Sequence, residues 1–104
     1  MASTQYTPEA RQDLKDIAIW IGRHDKRPKV AAKIIRELKS RCDEYARAAS
    51  SGSLIGTSRP EIGAGYRVFS YKRWVVVFRG MVGGIEVVRV VDGARDFGRL
   101  FGGN

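Results

Sequence analysis

Three short runs of β-forming residues near the end of the chain constrain its fold more than any other feature. Between Tyr66 and Phe101 these runs are rich in Val, Ile, Phe, Tyr and Trp, and they are interrupted by Lys72-Arg73 and by Gly83-Gly84. Such residues suit a pleated, half-buried surface, and two-residue interruptions suit tight hairpins. The pattern predicts a three-stranded antiparallel meander with strands at Tyr66–Tyr71, Trp74–Met81 and Ile85–Val91.

Two-residue turns would also fix how these strands face one another. Counting outward from the turns places Tyr71 opposite Trp74, Arg67 opposite Phe78, and Phe78 opposite Arg89. Because side chains alternate between the two faces of a sheet, one face would hold both arginines together with Phe69, Val76 and Val87. The other face would be the core face, with Val68, Val75, Val77, Val88 and Val90.

The two arginines leave two interpretations of their face open. A buried apolar face does not accommodate unpaired guanidinium groups, whereas a face that receives a partner does. Alternatively, Arg67 and Arg89 lie at the margins of the sheet and are simply solvated.

The first half of the chain has helical periodicity. Thr7, Pro8 and Glu9 combine a capping hydroxyl, a proline and an acid, which predicts a helix that ends near Gly22–Asp25. A second helical pattern follows Lys26-Arg27-Pro28, so a short connection joins two antiparallel helices.

The order of elements predicts the fold class. A short strand at Thr4–Tyr6 precedes the helices, and the meander follows them after a loop at residues 50–65. We expect an α+β fold in which the helical hairpin packs on one face of a small curved antiparallel sheet. With 104 residues the chain is long enough for one modest core, so residues 1–104 are predicted to form a single domain.

Composition narrows the function classes. The formal net charge of +8 indicates an anionic partner, either nucleic acid or an acidic protein. Cys42 is the only cysteine, and we expect it to be buried as part of the core. His24 is the only histidine, and we expect it at the surface. With a single residue of each kind, neither a metal site nor a cofactor is predicted. No apolar run is long enough to span a bilayer and no signal peptide is visible, so a cytoplasmic protein without a membrane partner is predicted.

Several segments together resemble the ParE branch of the RelE/ParE toxins of bacterial toxin–antitoxin modules. They include Pro8-Glu9-Ala10 with Asp13-Leu14, the loop with Arg59-Pro60-Glu61, Gly65-Tyr66-Arg67, and Val88-Arg89-Val90 followed by Arg95-Asp96. The resemblance extends from Tyr6 to Phe101 and rests on the order and spacing of these segments. It implies a small toxin of a module that maintains a plasmid or chromosome, encoded with an antitoxin that folds onto it.

The resemblance also implies two alternative targets. ParE-like members are associated with poisoning DNA gyrase by protein contact, and RelE-like members cut messenger RNA on the ribosome. We expect the antitoxin to cover the arginine-bearing sheet face and the helical hairpin. The residues predicted to bind antitoxin or target are Arg67, Phe69, Tyr71, Trp74, Val76, Phe78, Arg89, Arg95, Phe97 and Phe101.

The chemistry of RNA cleavage weighs against the second target. A metal-independent ribonuclease needs a base, an acid and cations that hold the phosphate. Arg67 and Arg89 supply candidate cations, and Tyr66, Tyr71 and Lys72 are the remaining candidates for proton transfer. Asp92 stands where many relatives have a histidine, so the proton-transfer groups are incomplete and the chain is predicted to be a binding protein. A homologue that has lost toxicity and only binds its antitoxin is a third alternative.

Overall fold

The chain folds as two helices against a five-stranded sheet. The structure is a computed structural model, and it describes residues 2–99. The elements are β1 (Ser3–Tyr6), α1 (Pro8–Asp25), α2 (Pro28–Ser50), β2 (Thr57–Ser58), β3 (Tyr66–Tyr71), β4 (Trp74–Met81) and β5 (Gly84–Asp92). This arrangement confirms the predicted α+β fold, and β2 lies in the stretch that was expected to be a loop.

The strands lie in the order β1-β5-β4-β3-β2. The pairs formed by β2, β3, β4 and β5 are antiparallel, whereas β1 runs parallel to β5. The sheet is therefore mixed. Parallel strands need a long connection, and the two helices form part of the connection between β1 and β5. At the junction, the backbone of Gly84 lies so close to β1 that an added Cβ would be 1.8 Å from the carbonyl oxygen of Ser3.

The ends of α1 form as the sequence predicts. The Thr7 hydroxyl accepts a hydrogen bond from the amide of Ala10 at 3.0 Å and donates one to the carbonyl of Val88 at 2.7 Å. The cap therefore ties the start of α1 to β5. At the other end Lys26 adopts a left-handed conformation, with φ of 57°, and its amide bonds to the carbonyl of Gly22 at 3.0 Å. The short antiparallel connection to α2 follows from this turn.

The strand register is confirmed on one side of β4 and wrong on the other. Tyr71 lies opposite Trp74 and Arg67 opposite Phe78, as predicted. The second turn, however, is formed by Val82-Gly83, and the register shifts between Val77 and Phe78. Phe78 therefore lies opposite Val87 and Arg89 lies opposite Val77, with Val88 as the extra residue of the bulge.

The assignment of the two sheet faces was also wrong. The face predicted to receive a partner packs under the helices: Tyr45 of α2 stacks on Phe69 at 4.0 Å between ring centroids and meets Phe78 edge-on at 5.5 Å. These large aromatic side chains fill the space between helix and sheet, which the smaller valines of the other face cannot do. The sheet residues of this buried core are Phe69, Tyr71, Trp74, Val76, Phe78, Ile85, Val87 and Val90.

The opposite face still has buried residues of its own. Val68 and Val77 are buried outside the main cluster, as is Val91. Val90, predicted on this face, lies instead in the main core because the bulge changes the alternation of β5. Both faces are therefore apolar, and only one is covered by helices.

Candidate interaction surfaces

The half-buried Arg89 is held against α1 by Asp13. Its Nε and one terminal nitrogen donate to the two carboxylate oxygens at 2.7 and 3.0 Å, and the amide of Val90 donates to the same carboxylate at 2.9 Å. The hydrogen bonds that Arg89 donates to Asp13 raise the pKa of Arg89. This guanidinium therefore docks α1 on the part of β5 that extends beyond β1.

Arg67 has a different set of partners. Its Nε donates to the carbonyl of Ile55 at 3.1 Å, and a terminal nitrogen donates to the carbonyl of Gly56 at 2.8 Å. The side chain thus fixes the loop before β2 against β3. The structure does not bring Arg67 and Arg89 together, since one is bonded to this loop and the other to α1.

Asp92 ends β5 and organises the turn that follows it. Its carboxylate accepts hydrogen bonds from Arg73 at 2.7 Å and from the amides of Ala94 and Arg95 at 3.0 and 3.1 Å. Burial opposes the charged form, but these hydrogen bonds outweigh it and lower the pKa of Asp92. The carboxylate is therefore a structural acceptor and a poor proton donor at neutral pH.

The other candidates for proton transfer lie far apart. Tyr66 begins β3 and Lys72 follows its last residue, so at about 3.3 Å per residue their Cα atoms are roughly 20 Å apart. Tyr71 donates its hydroxyl hydrogen to Glu37 at 2.8 Å, and burial together with this bond raises the pKa of Tyr71. The structure does not assemble Tyr66, Lys72, Arg67 and Arg89 around one point.

The predicted binding residues after β5 are accounted for in part. Arg95 is exposed and lies 3.7 Å from Asp96, and the ring of Phe97 lies under the guanidinium of Arg59 at 4.8 Å from its centroid. Phe101 lies outside the described residues. Of the ten predicted residues, Phe69, Tyr71, Val76 and Phe78 are buried in the core, so a partner cannot contact them without displacing the helices. Trp74 is also buried in the core, but its side chain borders a groove at the surface.

A first groove runs along the outer side of the helical hairpin, and we call it the helix groove. It has a volume of about 310 Å³, with Leu14, Ala18 and Ile35 as its apolar part. Its cations are Arg11, Lys15 and Lys39. These three side chains form no ion pair with another described residue, so the groove combines an apolar floor with free positive charge.

A second groove lies between α1 and the end of the sheet, and we call it the tryptophan groove. Its volume is about 360 Å³. It is lined by Asp16, Ile17, Ile19, Trp20, Arg23, His24, Trp74, Asp92 and Arg95. Trp74 and Arg95 were predicted site residues, whereas the contribution of α1 was missed. The sequence signal for this groove is Ile19, an apolar residue that lies outside the apolar stripe of α1. In the structure its side chain is 52% exposed.

The predicted burial of Cys42 and exposure of His24 are confirmed. Cys42 is buried, and burial raises the pKa of its thiol to about 12. His24 is exposed and stacks on Trp20 at 4.0 Å between ring centroids. Within residues 2–99, no group of three or more His, Cys, Asp or Glu could hold a metal ion, and no helix has the length and apolar character to cross a membrane.

Comparison with known proteins gives the family of this fold. The ParE toxin family, described as the toxin of the type II toxin-antitoxin system parDE, matches residues 4–97. A solved structure of a chromosomal ParDE TA system from P. aeruginosa aligns with a TM-score of 0.70 and 21% identity, covering 88% of this chain and 96% of that chain. No curated protein sequence is significantly similar. The family match covers nearly the whole chain, which therefore belongs to the ParE toxins of type II toxin–antitoxin systems.

Proposed function

We propose that this ParE toxin inhibits DNA gyrase by protein contact and is neutralised by a cognate antitoxin. The observation that carries the proposal is the family match over residues 4–97, because ParE-like toxins are associated with gyrase poisoning. The proposed compartment is the cytoplasm, where gyrase acts on DNA.

The geometry of the sheet supports a binding mechanism over RNA cleavage. A nuclease must place its base, acid and cations within hydrogen-bond reach of one phosphodiester. Here both candidate cations are bonded within the protein, Arg89 to Asp13 and Arg67 to loop carbonyls. Tyr66 and Lys72 lie at opposite ends of β3. This arrangement supports a structural role for the two arginines over a catalytic one.

The helix groove is the proposed antitoxin site. An acidic amphipathic segment would place apolar side chains against Leu14 and Ile35 and carboxylates near Lys15 and Lys39. Such segments are often disordered when free and order on binding. The net charge of +8 would attract such a segment. This site replaces the buried sheet face that was predicted to receive the antitoxin.

Calorimetry with the cognate antitoxin tests the helix groove. The double variant Lys15→Glu/Lys39→Glu should bind about tenfold to a hundredfold more weakly, because it places like charges opposite the antitoxin carboxylates. Lys29→Glu is the matched control, since Lys29 is exposed and lines none of the grooves. Unchanged affinity of the double variant would exclude the helix groove as the antitoxin site.

Expression in bacteria without antitoxin tests the target. A gyrase poison should arrest growth with a DNA damage response and intact transcripts. The opposite pattern, cleaved transcripts without DNA damage, would contradict the gyrase proposal and identify the chain as an endoribonuclease acting on messenger RNA at the ribosome. Normal growth would indicate a homologue that only binds its antitoxin.

A further inference from the structure

The tryptophan groove has the features of a docking site that the fold itself does not need. Its floor is formed by the buried residues Ile17 and Trp74 and by the half-buried Trp20. Ile19 lies on the rim of the groove and is 52% exposed, so it takes little part in the core. Ile19 extends the apolar lining of this cavity of about 360 Å³ to the protein surface, and an apolar patch with a polar rim is typical of an interaction site.

The rim of this groove offers a partner more guanidinium groups than carboxylates. The carboxylate of Asp92 is paired with Arg73 and accepts hydrogen bonds from two amides, whereas the exposed Asp16 keeps its negative charge, because its hydrogen bond at 2.9 Å comes from the neutral amide of Gln12. Arg23 forms no ion pair with any described residue, and Arg95 has only Asp96 at 3.7 Å. The groove is therefore complementary to an apolar side chain flanked by carboxylates.

The aromatic residues favour a peptide over a nucleobase. A base would stack on a free ring face, but the Trp20 ring already has the His24 imidazole at 4.0 Å and the Arg73 guanidinium at 4.5 Å from its centroid. Trp74 is only 5% exposed. What remains accessible is a cavity that can take an aliphatic or aromatic side chain, bordered by guanidinium groups that can pair with acids.

We infer that the tryptophan groove is the surface with which the toxin holds its target, and that its occupant is an acidic peptide segment of the target protein with one apolar side chain inserted between Ile19 and Trp74. The inference rests on the proposed toxic function and assigns it a contact site.

The two grooves occupy different stripes of α1. Arg11, Leu14, Lys15 and Ala18 line the helix groove, whereas Asp16, Ile19, Trp20 and Arg23 line the tryptophan groove, each set at spacings of three or four residues. Changes on one stripe should therefore leave the other intact. Antitoxin binding and target binding become separable by mutation.

The test compares Ile19→Ala and Arg23→Glu with the control Lys29→Glu. These side chains are exposed on helices, so none of the changes removes a core contact. For each variant we would measure growth arrest on expression, antitoxin affinity by calorimetry, and inhibition of purified gyrase. We expect Ile19→Ala and Arg23→Glu to need about tenfold more toxin for half-inhibition of gyrase and to lose growth arrest. Antitoxin affinity should stay within about twofold of the wild type.

Each outcome distinguishes the docking site from the proposed target. Growth arrest and gyrase inhibition that persist in both variants would overturn the docking site. Arrest by the wild type that the two variants lose, with gyrase unaffected throughout, would support the docking site and contradict gyrase as the target. A wild type that neither arrests growth nor inhibits gyrase would contradict both.

A labelled single-stranded oligonucleotide serves as the probe for the competing occupant. If the wild type binds this oligonucleotide, Arg23→Glu abolishes the binding and Ile19→Ala does not, the groove is a nucleic-acid site and the peptide assignment is wrong. We expect Lys29→Glu and Arg23→Glu to weaken any such binding equally, because only the net charge is then involved.

Discussion

Asp13 shows at the scale of one residue how this fold uses its charges. The Asp13 carboxylate accepts two hydrogen bonds from Arg89 and a third from the amide of Val90. This amide lies in the part of β5 that does not pair with β1. Removing the acceptor would leave a half-buried guanidinium and a backbone amide of β5 without this hydrogen-bond partner. Arg89 is therefore a structural residue of this toxin.

Substitutions at Asp13 should separate these hydrogen bonds. Asp13→Ala should lower the free energy of unfolding by about 2–3 kcal/mol, and Asp13→Asn by about half as much, because an amide oxygen still accepts from Val90. Urea unfolding followed by circular dichroism measures both values. Equal losses for the two variants would show that the Val90 bond contributes nothing.

Cys42 gives a prediction about pH at the same scale. Burial raises the pKa of its thiol to about 12, although a hydrogen bond with Tyr6 works in the opposite direction. Only the thiolate is nucleophilic, so the folded protein should stay unreactive toward a thiol reagent such as DTNB at pH 8. Unfolding in guanidinium should restore the reactivity of an ordinary cysteine. Rapid labelling of the folded protein at pH 8 would contradict this burial.

At the scale of elements, local signals predicted most of the fold. Lys72-Arg73 fixed the hairpin between β3 and β4, and Thr7-Pro8 fixed the start of α1. The second turn was misplaced because Gly83 and Gly84 both suit a turn, and the choice depends on the close packing of Gly84 against Ser3. The bulge at Val88 has no signature in the neighbouring sequence. The carbonyl of Val88 accepts a hydrogen bond from the distant Thr7 hydroxyl, a contact that local sequence does not reveal.

The candidate site was harder to predict than the fold for a related reason. Both sheet faces are apolar, so the alternation of side chains could not say which face the helices cover. That choice depends on Tyr45 of α2 meeting Phe69 and Phe78, a contact between distant parts of the chain. Both grooves depend on it in turn, because they lie along helices whose position the sequence pattern leaves open.

A pair of glycine substitutions tests the packing of β1 on β5. Gly84→Ala should lower the free energy of unfolding by about 2 kcal/mol or more, because its Cβ would overlap the Ser3 carbonyl and push β1 off the sheet. Gly22→Ala is the control: nothing lies within 4 Å of its Cβ, and alanine should stabilise α1 by about 0.5–1 kcal/mol. Thermal unfolding of both variants measures the difference, and a neutral Gly84→Ala would show that β1 is not held in this position.

At the scale of the whole molecule, the chain separates stability from recognition. The paired Arg89 and the buried aromatic residues hold the helices on the sheet, while Arg11, Lys15 and Lys39 line the helix groove and Arg23 lines the tryptophan groove without an ion pair to another described residue. This distribution suits a protein that acts by binding acidic partners. In our two proposals, the helix groove binds the antitoxin and the tryptophan groove binds the target.

The most direct test is a DNA supercoiling assay with purified gyrase and ATP, in which the toxin is titrated beside a parallel incubation with messenger RNA and ribosomes. We predict that supercoiling is lost, or that linear DNA appears after detergent and protease treatment, while the RNA stays intact. Unimpaired supercoiling together with cleaved RNA would contradict inhibition of gyrase by protein contact and would make this ParE toxin a ribonuclease.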